Sequence, residues 1–306
     1  MNAFHALLIP GLAIASAGLA LGVLRARRAE SPARRSRRGI ALNMTLRSLL
    51  HDLQMHRGMA SILLNGDNAF GARLQAKQAD IQRALTTLAD GKSCSDLLAP
   101  VRIEALTTSW STLRGRVLKL SPAQSFAAHS TLIQEVLHLI SDVAERSQLD
   151  AGSPVSASLS DMLWRRLPEA AEGIGKARAI GSGIAAAGQA NGVERIRLRF
   201  LVTHIRSGLK AIQLAVGQHD GQLSLETRQA AAKAQAQTAQ LLSVIEADLV
   251  EAERPGIDAE RYFAAATEAL EALYRVYDAA SASLAQPSHA GDASGPSLDG
   301  AEARAA

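Results

Sequence analysis

Between Ile40 and residue 285 the apolar residues recur at helical spacing in eight successive stretches, separated only by short polar breaks. Such a pattern leaves an all-α fold as the one class the chain can adopt. The stretches run over about 41–65, 69–89, 98–119, 122–149, 158–190, 193–217, 224–253 and 259–285. Each break has its own chemistry. Asn65-Gly66-Asp67-Asn68, Asp90-Gly91, Asn191-Gly192 and Gln218-His219-Asp220-Gly221 are turn formers, and Pro255-Gly256 stops the seventh helix. Ser121-Pro122-Ala123-Gln124 reads as an N-cap, a first-turn proline and a glutamine placed to close a capping box, and Asp258 caps the last helix. Aromatic residues make up only 3 % of the chain, and Ala, Leu, Gln, Arg and Glu, all good helix formers, together dominate it. The clearest internal boundary is Asp150-Ala151-Gly152-Ser153-Pro154, which divides the helices four and four. The expected fold is therefore two antiparallel four-helix bundles, about 41–150 and 157–285, with the long fifth and seventh helices able to run through both. Residues 286–306, rich in Pro, Ser, Gly, Ala and Asp, read as a disordered tail.

The first forty residues have a different character. Ala3 to Leu24 holds no charged residue, and as a helix these residues would span about 33 Å, enough for a bilayer core. The positive charge follows the apolar run, whereas a secretory signal places it before. The expectation is a transmembrane anchor over residues 1–25, with the membrane contact at 3–24, then a solvated basic juxtamembrane linker over 26–40. That topology puts the N-terminus outside and the soluble domain in the cytoplasm, on a single-pass inner-membrane protein. An uncleaved signal with a periplasmic body is the competing arrangement.

Charge and composition exclude several functions. The chain carries +4 overall, but seven arginines against Glu30 give its first forty residues +6, which leaves −2 for the rest. The folded body thus offers no nucleic-acid-binding face on charge grounds. The single cysteine, Cys94, permits no internal disulfide and has no base beside it. The histidines show no metal-ligand spacing, and neither a Gly-x-Ser-x-Gly elbow nor a nucleotide fingerprint occurs. No enzyme and no cofactor are expected.

What remains is a set of arginines. On the first helix Leu46, Leu50, Leu53, Ala60 and Leu64 share one face, and Arg57 falls in its middle, with Gly58 beside it and Ser61 one turn on. A buried guanidinium needs a partner. A carboxylate from another helix, a helix C-terminus and a bound anion all qualify. On the sixth helix Arg195, Arg199 and Arg206 align along the edge of the Leu198–Val202–Ile205–Leu209 stripe, either as a solvated border or as a positive wall beside a cleft. Arg178 lies in the glycine-rich fifth helix, at the edge of its apolar face. Forked N–H donors suit planar oxyanions, so Arg57, Arg178, Arg195, Arg199 and Arg206 are the anion-binding candidates.

Leu53-Gln54-Met55-His56-Arg57-Gly58-Met59-Ala60-Ser61 resembles the opening signature of nitrate- and nitrite-sensing (NIT) domains. Those read Leu-Gln, two residues that include a Glu, then Arg-Gly and a small residue; here His56 stands in place of the glutamate. Phe126 to Ile140 resembles the family's fourth helix, and Arg261-Tyr262-Phe263 through Tyr274 resembles its Tyr-Phe … Thr … Leu-Tyr ending. The resemblance spans roughly residues 45–285 and implies two stacked bundles with arginines holding nitrate or nitrite. Of the candidates, only Arg57 comes from the motif. Family members usually control an attached output, and none is visible here, so the expected output is an unknown signalling partner; a homodimer is compatible with this kind of sensor. The contrasting expectation is a membrane-tethered helical scaffold with no small ligand, in which Arg57 pairs with a carboxylate.

Overall fold

The computed structural model describes residues 30–91, 96–149 and 154–285. The chain is all-α there: no strand occurs among the described residues. The elements are α1 (Pro32–Leu64), α2 (Gly71–Asp90), α3 (Pro100–Arg116), α4 (Pro122–Arg146), α5 (Pro154–Asp161), α6 (Leu167–Ala187), α7 (Gly192–Gln218), α8 (Leu225–Val244) and α9 (Ala259–Ala285). Helix α5 continues into α6 through a π turn at Met162–Arg166, so the pair forms one rod; a second π segment, Ile245–Glu251, extends α8.

The local signals decide most helix ends. Ser121 caps α4 with the full capping box: its hydroxyl accepts from Gln124 N, and Gln124 Oε1 accepts from Ser121 N. The Asp258 carboxylate accepts from Arg261 N at the start of α9. Helix α6 ends three residues before the expected stop, at Gly188, whose φ of 66° is a left-handed conformation that glycine adopts freely. Asn191 then serves as the N-cap of α7, boxed with Glu194.

The expected linker does not hold its boundary. Helix α1 begins at Pro32, so residues 32–40 are helical and not a solvated coil. Ser31 caps the helix, Pro32 occupies a first-turn position, and while Arg34 and Arg37 stay exposed, Arg35 and Arg38 find partners. Arg35 Nε donates to the carbonyl of Arg146, and Arg38 pairs with Glu30 and Asp96. Among the described residues no helix is long and apolar enough to cross a membrane. The expected span at 3–24, Cys94 and the expected tail at 286–306 lie outside the described residues.

Helix α1 packs on α2 and α4, α3 joins those two, and a second group closes through α6–α7, α7–α8, α8–α9 and α9–α6 contacts. The groups meet where α1 lies along α6 and touches α9. This seam lets α6 be buried almost all round: Ile174, Ala177, Arg178, Ala179 and Ser182 are all fully enclosed. Its glycines make the close approach possible. A Cβ on Gly181 would collide with the Tyr262 ring, and one on Gly175 would come 3.0 Å from Arg57 Nη2.

Candidate anion-binding site

Along the α1–α6 seam the apolar packing is interrupted by two buried guanidinium groups, Arg57 from α1 and Arg178 from α6, 1 % and 0 % exposed. They sit close together because each helix presents a glycine to the other's arginine. Gly175 faces Arg57 Nη2, and a Cβ on Gly58 would lie 3.3 Å from Arg178 Nε.

Arg57 is fully committed at its outer edge. Nη1 donates to Glu172 Oε1 at 2.7 Å and Nη2 to Glu172 Oε2 at 3.0 Å, a bidentate fork; Nη1 also reaches Ser130 Oγ at 3.1 Å. Glu172 is buried too, and Gln54 Nε2 donates to its Oε2 at 3.0 Å. The Tyr274 hydroxyl donates to Gln54 Oε1 at 2.8 Å, completing a chain from α9 through α1 to α6. Phe126 from α4 stacks its ring against the Arg57 guanidinium, 5.3 Å from ring centroid to guanidinium carbon. Of the three partners open to Arg57, the carboxylate is the one in place.

Arg178 differs. Its Nη1 donates to Thr267 Oγ1 at 2.9 Å and touches Met55 Sδ at 3.0 Å, while the Phe263 ring covers one face at 5.0 Å. Among the described residues no carboxylate pairs with it, and its Nε and Nη2 have no acceptor. Nε and Nη2 form one side-on edge of the guanidinium, two parallel N–H donors spaced to fit two oxygens of one planar group. Burial, with the positive Arg57 next, pulls the Arg178 pKa well below the usual guanidinium range, to about 9. Burial also raises Tyr262 and Tyr274 above the ordinary tyrosine range, so both hydroxyls stay protonated as donors. The Tyr262 hydroxyl donates to the Ala177 carbonyl at 2.9 Å, and the Ser61 hydroxyl to the Ala179 carbonyl at 2.6 Å.

Beside Arg57 lies a buried histidine pair. The Ser125 carbonyl takes the Nδ1 proton of His129 at 2.7 Å, which leaves His129 Nε2 as the acceptor for His56 Nδ1, also at 2.7 Å. His56 Nε2 then accepts from Gln78 at 3.2 Å. The chain is satisfied only with both rings neutral. Burial, then the neighbouring His129, lowers the His56 pKa well below 6.5, and burial brings His129 to about 4 despite the opposing Ser125 bond.

The structure therefore brings Arg57 and Arg178 together and gives the other candidates different work. Arg195 closes the end of the α8 rod: Nη1 donates to the carbonyls of Val250 at 2.6 Å and Ala252 at 2.7 Å, and Nη2 to Glu253 at 3.1 Å. Arg206 forms a surface pair with Glu246, and Arg199 is exposed. The positive wall dissolves because its members face carbonyls, a carboxylate and solvent. Glu172 and Ser130 escaped the sequence reading, though Glu172 bore the same signal as Arg57: a charge flanked by Ala171 and Gly173 in an otherwise apolar helix. Among the described residues no group of three His, Cys, Asp or Glu could hold a metal. A groove of about 750 Å³ is lined by Ser61, Asn65, Phe126 and Ala179, and the same Phe126 ring stacks on the Arg57 guanidinium.

A family model described as nitrate and nitrite sensing (NIT) matches residues 48–285. No curated protein matches the chain. Among solved structures, a structure of the NasR transcription antiterminator is similar with a TM-score of 0.61 and 22 % identity, covering 88 % of this chain and 73 % of that one. At that identity the likeness is one of fold.

Proposed function

The chain belongs to the nitrate- and nitrite-sensing (NIT) family, and from that premise we propose that its buried arginines hold a small planar oxyanion, nitrate or nitrite, and convert its arrival into a shift of helix packing. The observation that carries this reading is Arg178: a fully buried guanidinium with, among the described residues, no carboxylate partner and a free bidentate edge. Leaving such donors unsatisfied is costly, and a planar anion with two oxygens answers both the charge and the geometry. Arg57 stands beside it with a free Nε and adds to the positive potential. The groove past Phe126 is the route by which an anion would approach. Because Arg178 is completely enclosed, the anion reaches it only when α1 and α6 part, so binding is coupled to movement of the two helix groups against each other.

In this reading residues 3–24 tether the protein to the inner membrane with the sensing domain in the cytoplasm, and the signal passes to a separate partner, as one chain or as a homodimer. The role is binding, not catalysis. The scaffold alternative gains support from the Arg57–Glu172 pair, which needs no ligand. It leaves the free edge of Arg178 without a purpose.

The test is thermal unfolding of the full chain in nitrate, nitrite, chloride and sulfate at fixed ionic strength. Stabilisation by nitrate or nitrite alone, lost in Arg178→Ala, is the expected result. Identical curves in all four salts would favour the scaffold.

A further inference from the structure

We propose that Glu172 fixes the charge of the ligand: it holds the buried site at one net positive charge, so the site accepts a monovalent oxyanion and rejects a divalent one. The inference rests on the anion-site reading above and adds a specificity-determining residue to it.

The count is made from enclosed groups. Arg57 and Arg178 each contribute one positive charge, and Glu172 is the carboxylate within their buried network. The surrounding tyrosines, Tyr262 and Tyr274, are protonated, and the nearby His51 is held neutral, its pKa lowered to about 3 by burial and then by Arg178. Arg47, the next cation toward Tyr274, is already paired with Asp278. Lys176 lies 3.7 Å from Glu172 but is 36 % exposed, so water screens much of its charge. One unbalanced positive charge remains in a low-dielectric seam. A monoanion cancels it. A dianion overshoots by one, and it must shed a far more strongly held hydration shell to enter.

Glu172 is suited to be a permanent counter-charge because it is pinned. It accepts two bonds from Arg57 and one from Gln54, and Gln54 is itself held by Tyr274. A carboxylate held by three hydrogen bonds from two residues is not a partner that an incoming anion displaces easily; the free edge of Arg178 is the seat left for it.

Two measurements on the full chain decide the matter. In the wild type, sodium perchlorate and sodium sulfate are each titrated against bound nitrate at constant ionic strength, by calorimetry. The two ions are both tetrahedral and similar in size but differ by one charge. Perchlorate should compete and sulfate should not; exclusion of both would mean that planar shape and not charge makes the selection, and would overturn the proposal. In Glu172→Gln, which keeps an acceptor for Arg57 and removes the charge, nitrate should bind about tenfold more tightly or better, and sulfate should begin to compete. Glu172→Asp retains the charge and should keep the wild-type preference. If Glu172→Gln fails to fold, the competition between perchlorate and sulfate in the wild type still separates charge from shape. A wild type that ignores nitrate and nitrite altogether sinks the anion-site reading. A responsive wild type with unchanged selectivity in Glu172→Gln sinks only the role given to Glu172.

Discussion

Replacing Arg178 with methionine should make the protein more stable in nitrate-free buffer while abolishing its response to nitrate. Methionine keeps the unbranched length, and the site already contains the Met55 sulfur and the Phe263 ring as apolar neighbours. The magnitude follows from what the guanidinium loses and gains. Burial pulls the Arg178 pKa down to about 9, so keeping the group charged in the fold is costly. The bond to Thr267, the weak contact to Met55 and the stacking on Phe263 offset only part of that cost. Arg178→Met should therefore be about 1–2 kcal/mol more stable, or roughly 2–8 °C in Tm for a domain of this size. Nitrate at 100 times its Kd should lift the wild type by about 2.7 kcal/mol and leave the variant unmoved, so the two stabilities converge only when the ligand is present. Urea unfolding monitored by helical circular dichroism, with and without nitrate, reads both numbers from one series. A variant less stable than wild type in nitrate-free buffer, with an undiminished nitrate shift, would refute the claim that Arg178 is an unbalanced charge waiting for an anion.

The remaining predictions concern the framework. His51, His56 and His129 are buried neutral with pKa values below the unfolded value of 6.5, so the unfolded chain binds more protons in acid; their contribution is fully present above pH 6.5 and is lost as pH falls toward 4. His129 alone should cost about 2 kcal/mol at pH 5, and a urea midpoint compared at pH 7.5 and pH 5 should show a smaller difference in His129→Gln. Gly181→Ala places a methyl group into the Tyr262 ring and should destabilise by about 2 kcal/mol or more, whereas Gly115→Ala, with open space around it, should stabilise by about 0.5–1 kcal/mol; thermal melts of the two variants distinguish a packing glycine from a merely flexible one. Arg195→Ala releases three carbonyls at the end of the α8 rod and should lose about 1–3 kcal/mol without changing the nitrate Kd measured by calorimetry. In Arg206→Ala both readings should stay close to wild type, because the Arg206–Glu246 pair lies at the surface, where water screens it.

How much of this could be read from the chain depends on the range of the interaction. Helix ends were legible where they rest on neighbours three residues apart, as at Ser121 with Gln124 and at Asp258 with Arg261. The start of α1 was not, because a run of arginines looks solvated until Glu30, Asp96 and the Arg146 carbonyl come to meet it. Arg57 stood out because a charge in an apolar stripe is conspicuous. Its partner did not, since Glu172 lies 115 residues away and nothing local selects it. Arg178 looked peripheral for a compositional reason: a helix of Gly and Ala has no strong apolar face, so the wheel cannot tell its inside from its edge when every side is covered. The alignment of Arg195, Arg199 and Arg206 was real on the helix but uninformative, because spacing along α7 says nothing about the carbonyls that the end of α8 brings across.

The placement of Arg178 also explains how a small anion could move long helices. The carbonyl one residue before it, on Ala177, accepts from Tyr262 of α9, and the carbonyl one residue after it, on Ala179, accepts from Ser61 of α1. Phe263 and Thr267 of α9 grip the guanidinium itself, and Gly58 of α1 faces its Nε. The Tyr-Phe … Thr … Tyr pattern near the end of the chain thus converges on the two buried arginines: Phe263 and Thr267 meet the Arg178 guanidinium, Tyr262 holds the carbonyl beside it, and Tyr274 reaches Arg57 through Gln54 and Glu172. An anion drawing on the free edge of Arg178 pulls on a residue that is tied to α1 and α9 within one peptide on either side. In the proposed function the close-packed seam would pass that pull on, with α6 shifting against its two neighbours. In that proposal the size of the shift is limited by the difference in anion affinity between the two packings, and the unbalanced charge on Arg178 would then supply the coupling energy as well as the binding.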